Sequence, residues 1–259
     1  MSELNKQLSN GKFIIGMVHL KPLPGSAKFQ GNVDEIYQSA IKDAKALEDG
    51  GASAILIENH FDQPFLRNLT LEQLTTMAAV SREIKVSTKL PVGIDVAFNQ
   101  FKASLAIAKS VGADFVRIPV FVDRVDSLSG IYEPSCSEAL KYRKQLDAEN
   151  ILILADIQVK ETILINKGVS LEESAKLAER NGADAVIVTG TETGGETPVE
   201  AIIKVKKLVQ IPVLVGSGVN SSNVSEQLKI ANGAIVGSSL KSENNEVDQV
   251  KVQQLVNQI

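Results

Sequence analysis

Five short apolar stretches end in side chains that an apolar core does not need. Ile15-Gly16-Met17-Val18 runs into His19, Ala54-Ile55-Leu56-Ile57 into Glu58 and Asn59, and Val92-Gly93-Ile94 into Asp95; Phe115-Val116 precedes Arg117, and Leu152-Ile153-Leu154-Ala155 precedes Asp156, with Lys160 four residues on. Carboxylates and an imidazole can move protons, and a lysine can hold a developing oxyanion, so His19, Glu58, Asp156 and Lys160 form a candidate acid–base set. Asn59, Asp95 and Arg117 are candidates for lining the same site. A second group is rich in glycine and serine: Val215-Gly216-Ser217-Gly218-Val219, Val236-Gly237-Ser238-Ser239, and Gly190-Thr191-Glu192-Thr193-Gly194-Gly195. Glycine lets backbone N–H groups approach an anion closely and serine adds a hydroxyl, which is phosphate-binding chemistry.

The elements that carry these residues repeat. Eight Val- and Ile-rich runs, 13–20, 53–59, 91–98, 115–121, 151–158, 185–191, 212–219 and 233–240, alternate with amphipathic stretches. Near-continuous hydrophobicity is expected of parallel strands covered on both faces. Between the first two runs, Val33, Ile36, Tyr37, Ala40, Ala44 and Leu47 have helical spacing, and Gly50-Gly51 stops the helix. Gly-Ala phrases at Gly51, Gly112, Gly182 and Gly233 introduce every second run, and these glycines are expected to be left-handed helix caps. Such a repeat favours a closed ring over an open sheet. The predicted fold is α/β, one (β/α)8 TIM barrel of the ribulose-phosphate-binding type spanning residues 1–259, with 1–12 an extension whose residues form a short helix under the barrel.

Period-2 alternation aligns Ile15, Met17 and His19 on one strand face, and likewise Ala54, Leu56 and Glu58, and Leu152, Leu154 and Asp156. If the apolar members point inward, the polar tips ring the barrel mouth. The glycine clusters then end the seventh and eighth strands, where such barrels hold phosphate. The long connections 21–32, 60–69, 122–135 and 159–170 all follow strands and are candidate lids. Each candidate also has a plainer reading: His19 as a hydrogen-bonded core histidine, Glu58 with Arg117 as a structural ion pair, Asp156 with Lys160 as a salt bridge that shapes a loop. His60 reads as a surface or lid residue, and Cys136 as structural.

Composition limits the partners. With 27 basic and 31 acidic residues the net charge is −4, which argues against a nucleic-acid partner but not against a local anion site. One cysteine excludes an internal disulfide and a cysteine-built zinc site and fits a cytoplasmic setting. No apolar run reaches the roughly 18 residues of a membrane span, and the N-terminus lacks a signal segment. Glu58, Asp95 and Asp156 offer oxygen ligands, but no His-rich spacing accompanies them; no metal or cofactor is expected. The partner expected is a small phosphorylated metabolite, and a homo-oligomer is compatible with all of this.

At these residues the sequence resembles the BtpA/SgcQ family. The matching phrases are Ile15-Gly16-Met17-Val18-His19-Leu20 with Pro22-Leu23-Pro24-Gly25, Glu58-Asn59 with Asp62 and Pro64-Phe65, and Ala155-Asp156-Ile157-Gln158-Val159-Lys160. To these are added the two glycine clusters, Lys241 and Asp248. The resemblance implies a barrel related to phosphate-binding ones. Its members are linked to photosystem I biogenesis and to a sugar-metabolism gene cluster, and some carry the label phosphoribosylanthranilate isomerase. Two positions depart from the family pattern: Glu161 stands where a histidine usually follows the lysine, and Gln100 where an aspartate usually follows the asparagine. Three functions follow: an enzyme of isomerase or lyase type acting on a phosphorylated sugar or nucleoside-like metabolite, a non-catalytic assembly factor, or the isomerase itself. That isomerase uses a cysteine at the end of its first strand, where this chain has His19, and an aspartate at the end of its fifth, which Asp156 matches.

Overall fold

All eight apolar runs become strands, each shorter at its ends than the run that contains it. In the computed structural model, which describes Leu8, residues 11–190 and residues 195–259, they are β1 (Phe13–His19), β2 (Ala54–Glu58), β3 (Val92–Asp95), β4 (Phe115–Ile118), β7 (Leu152–Ile157), β9 (Ala185–Val188), β10 (Val213–Val215) and β11 (Gly233–Val236). Neighbours pair in parallel and in chain order, and β1 pairs with β11, so the sheet closes into a barrel. Helices α1 (Val33–Asp49), α2 (Leu71–Ser87), α3 (Phe101–Val111), α4 (Cys136–Gln145), α5 (Leu171–Arg180), α6 (Val199–Lys206), α7 (Val224–Gln227) and α8 (Gln249–Val256) lie between the strands or after the last of them. None is long and apolar enough to cross a membrane.

The strands are apolar on both faces because they separate two cores. The outer one packs helix against sheet; α1 contributes Ile36, Ala40, Ala44 and Leu47 at helical spacing, while β1 contributes Ile14 and Val18. The inner one fills the barrel with Phe13, Ile15, Met17, Leu56, Phe115, Leu154, Ile187 and Ile235. Leu8, helical and buried, joins this inner cluster from the extension; the rest of the helix expected there lies largely outside the described residues. Gly51, Gly112 and Gly182 are left-handed as expected. Gly233 is not. It opens β11, and a Cβ there would meet the Phe13 ring at 2.6 Å, so the aromatic plug at the barrel bottom, not a helix end, calls for glycine.

Alternation along each strand continues past the inner core and sets His19, Glu58, Asp95, Arg117 and Asp156 as its next layer upward. Loops then fix the rim. Asp62, buried in a 3-10 turn over His60–Asp62, accepts hydrogen bonds from Leu23 N at 2.8 Å, Asn59 Nδ2 at 2.9 Å and Gln73 Nε2 at 2.8 Å. One carboxylate thereby ties the loop after β1, the loop after β2 and the first turn of α2. The long connections after β4 and β7 build something the sequence did not announce: an antiparallel sheet of β5 (Val125–Ser127), β6 (Gly130–Tyr132) and β8 (Ile163–Leu164). Val125 and Tyr132 face inward, where Tyr132 meets Phe98 edge to face, while Asp126, Ile131 and Ile163 face outward. Replacing Asp62 with alanine strands three buried donors, and we expect a loss of at least about 2 kcal/mol in denaturant unfolding; unchanged stability would show that these loops are held by something else.

Candidate functional site

Above the inner core the barrel opens into a cavity of about 310 Å³. Its lining combines the two groups picked out by residue type: His19, Glu58, Asp95, Arg117 and Lys160 on one side, and Gly216–Gly218 with Gly237–Ser239 on the other. The chain brings them together by topology alone, since each stands at the C-terminal end of a strand.

The buried centre is Arg117. Its Nε and Nη2 donate to Asp156 Oδ1 and Oδ2, both at 2.8 Å, and Nη1 lies 3.4 Å from Asp95 Oδ2. Burial works against the guanidinium charge, but the Asp156 charge and hydrogen bonds outweigh it and hold the proton more firmly than in free arginine. Asp156 is wholly buried and does not line the cavity. Both of its oxygens are engaged by Arg117 and no ion pair joins it to Lys160 among the described residues, which weighs against the expectation that it acts as the base. Asp95 does face the cavity. Its Oδ1 is buried without a hydrogen-bond partner among the described residues, and burial, reinforced by Glu58 and Asp156 against the pull of Arg117, holds its carboxyl well above the usual range. An oxygen-only metal site from Glu58, Asp95 and Asp156 does not arise, because Arg117 sits between the two aspartates.

On the β1–β2 side, His19 Nε2 lies 3.4 Å from Glu58 Oε2, and His60 Nδ1 lies 3.8 Å from the same oxygen. Burial brings His19 down to about 3, so its imidazole is neutral. For Glu58, burial pushes upward, but the facing His60 first, then His19 and Arg117, outweigh it and bring it down to about 2, so it is ionised. His60, expected as a surface or lid residue, lies on the turn after β2 and stacks on His19 with ring centroids 4.4 Å apart. Sequence order hid this, because a short turn after β2 folds His60 back over its own strand end.

Lys160 reaches the cavity from the loop after β7, fixed by its backbone N–H to Thr189 Oγ1 at 3.2 Å. Its ammonium has no ion-pair partner among the described residues, and burial first, then Arg117, lowers its pKa. Glu161, which departs from the family pattern, also lines the cavity, whereas Gln100 caps nothing and donates to the Arg67 carbonyl. Asn59 does not line the cavity. It accepts from Ala97 N at 2.8 Å and donates to Asp62, joining the β2 and β3 ends.

The glycine clusters divide into scaffold and cradle. Ser217 Oγ accepts from Gly190 N at 2.6 Å, which leaves its own proton to donate, and a Cβ on Gly190 would strike the Gly195 carbonyl at 2.7 Å, so Gly190 joins loops and does not face the cavity. Gly194 lies outside the described residues. Gly216 makes room for Ile187, and Gly218, with φ +68°, for the backbone of Gly195 and Glu196. Ser239 Oγ donates to Val219 O at 2.6 Å, tying the two turns together. What remains open is backbone: the N–H groups of Gly218, Gly237, Ser238 and Ser239 have no acceptor among the described residues, and these residues line the cavity. Lys241 and Asp248, also in the family phrases, are structural. Lys241 meets buried Asp43 at 3.4 Å, and Asp248 caps α8.

Comparison with known proteins gives this arrangement its relatives. A protein of Archaeoglobus fulgidus is 42% identical over 230 residues, covering 89% of this chain and 92% of that one. The Photosystem I biogenesis protein BtpA of Synechocystis is 34% identical, covering 90% of this chain and 81% of that one. Among solved structures, a thiamine phosphate pyrophosphorylase from Pyrococcus furiosus superimposes with a TM-score of 0.61 at 18% identity, covering 98% and 96% of the two chains, a likeness of barrel fold. The model of the BtpA family matches residues 10–259, and the chain belongs to that family.

Proposed function

We propose that the cavity binds a small phosphorylated metabolite and that the protein acts on it by proton transfer. The observation that carries this reading is the meeting, in one cavity, of backbone N–H groups at the β10 and β11 ends and a lysine ammonium that have no partner among the described residues. Backbone donors on short turns bind an anion without the entropy cost of ordering long side chains. Anchoring a remote phosphate then orients the reacting part of the molecule over the charged floor. Lys160 is assigned the proton, or the oxyanion it leaves; His19 and Glu58 form the facing wall. Arg117 and Asp156 support that floor from below. The phosphate-bearing substrate of the pyrophosphorylase is compatible with such a site but is a property of that protein.

The second reading is a docking factor, as the name of the Synechocystis relative implies for that protein. It is favoured by the outer face of the β5–β6–β8 sheet, where Ile131 and Ile163 flank Asp126 and Leu128 is 94% exposed at the turn. A docking factor needs no affinity for phosphosugars, so one titration separates the two. Phosphoribosylanthranilate isomerase activity receives less support: Cys136 opens α4, away from the β1 end, and Asp156 is locked to Arg117. Growth of a tryptophan auxotroph on this gene would reverse that judgement.

Ribose 5-phosphate titrated by calorimetry is expected to bind, and Lys160→Ala to weaken it about 10- to 100-fold, the worth of a hydrogen bond to a charged group. The lowered lysine pKa adds a sign. The cation is present below its pKa and lost as pH rises, so affinity falls at a lower pH than for free lysine; Lys160→Arg, which stays charged, should hold affinity flat over that range. Equal affinity in parent and alanine variant would remove Lys160 from the site. Asp156→Asn should act on stability first: it leaves Arg117 half paired in a buried position, a loss of about 3–5 kcal/mol in unfolding measurements. A fully stable but inactive Asn variant would instead restore Asp156 as the base.

A further inference from the structure

The chain has two histidines in all, and the fold brings both to one carboxylate. We infer that His19, Glu58 and His60 form a binding site for a divalent first-row transition cation of the zinc type, open on its cavity side. One donor atom from each of the three falls within 4.8 Å of the others. The spacing matters because it is too long for hydrogen bonds and right for a shared ion. His19 Nε2 and His60 Nδ1 stand 3.4 and 3.8 Å from Glu58 Oε2, beyond the usual range for an N–H···O contact. Ligand atoms held about 2.0–2.1 Å from a tetrahedral zinc ion stand about 3.4 Å from one another. The three donor atoms thus stand near enough to one another to share one ion.

The surroundings favour the same reading. Two imidazoles and one carboxylate suit zinc and its neighbours and not magnesium or calcium, which take oxygen ligands. Three protein ligands leave further coordination positions, as a metal site that meets a ligand requires. Those positions face the cavity, since all three residues line it. The anion cradle is adjacent: a Cβ at Gly237 would lie 3.1 Å from His19 Cε1 and 3.4 Å from Nε2. Glycine there lets the imidazole sit directly against the turn whose N–H groups have no acceptor among the described residues. Stacking on His60 and the edge of Phe61 hold the His19 ring from the other side. A cation here would touch a ligand's oxygens beside the phosphate, although its own binding does not depend on the phosphate reading.

The test uses the full chain, stripped with EDTA and titrated with zinc chloride alone in calorimetry, with cobalt(II) absorption as a second measure. One equivalent per chain is expected, together with the visible bands of low-symmetry cobalt and a zinc-dependent rise in melting temperature. His60→Ala and Glu58→Gln should each weaken zinc by at least about tenfold, more than the loss of a supporting neighbour alone. Cys136→Ser, which removes the sole thiol, should bind zinc as the parent does. Melting temperatures measured without zinc establish that each variant is folded, and the isosteric Glu58→Gln serves if His60→Ala is not. Absence of stoichiometric binding in the parent, or equal binding in both ligand variants, overturns the site. Lys160→Ala keeps zinc while losing ribose 5-phosphate. A parent that binds zinc but no sugar phosphate would sink the phosphate reading and leave the metal site standing.

Discussion

A guanidinium inside a barrel is the constraint around which the site is arranged. Arg117 points inward from β4, one alternation above Phe115, into space where an uncompensated charge would cost several kcal/mol. Asp156 meets it in bidentate geometry from the neighbouring strand β7, and the register that pairs Arg117 with Leu154 sets the two side chains side by side. With that charge neutralised, the remaining acids of the layer are surplus. Asp95 is left with one oxygen unbonded and its carboxyl pushed upward, while Glu58 turns toward the histidines. The polar layer is therefore divided into a closed half that supports and an open half that faces the cavity.

The same division runs through the glycines. Sequence patterning marks both clusters with equal strength, yet the structure uses Gly190, Gly216 and Gly218 chiefly to let backbone and branched side chains approach one another. At Gly218 the positive φ and the contact with Glu196 Cα at 2.4 Å would exclude a side chain even without a ligand. Gly237 differs, because its neighbour is the His19 ring and not a scaffold. Of the serine hydroxyls that look like phosphate donors, Ser239 gives its proton to Val219 O, while Ser217 accepts from Gly190 N and keeps its own. The donors that remain open among the described residues are backbone N–H groups, and side-chain identity speaks to them only indirectly.

What was legible in the sequence follows from which forces are periodic. Continuous apolar runs announce strands buried on both faces, and all eight are strands; alternation announces which residues point inward, and His19, Glu58, Asp95, Arg117 and Asp156 do form one layer. The partners within that layer were not legible, because they depend on strand register and on which acid meets Arg117 first. The contact of His60 with His19 is not legible for a related reason: a three-residue turn reverses the chain after β2, and no periodic signal marks a turn that short. The β5–β6–β8 sheet escaped notice because its strands are two or three residues long and come from two separate loops. Of the family phrases, Asn59, Asp62, Lys241 and Asp248 are residues of fastening, which a motif alone cannot distinguish from residues of chemistry.

Closure of the barrel is what makes one site out of two halves. The imidazoles and Glu58 belong to β1, β2 and the turn after it, near the start of the chain; the open N–H groups belong to the turns after β10 and β11, near its end. They meet because β1 pairs with β11 from Phe13–Gly233 to Gly16–Val236, so the next residues up the barrel are Met17 and His19 on one strand and Gly237 on the other. An open sheet of the same eight strands in the same order would leave β1 and β11 at opposite edges, with the histidines and the cradle apart. The Phe13–Gly233 contact at the bottom, where the ring occupies the space a Cβ would need, therefore bears on the mouth above it. Packing at that seam sets the register, and the register sets how close the His19 ring stands to the turn at Gly237.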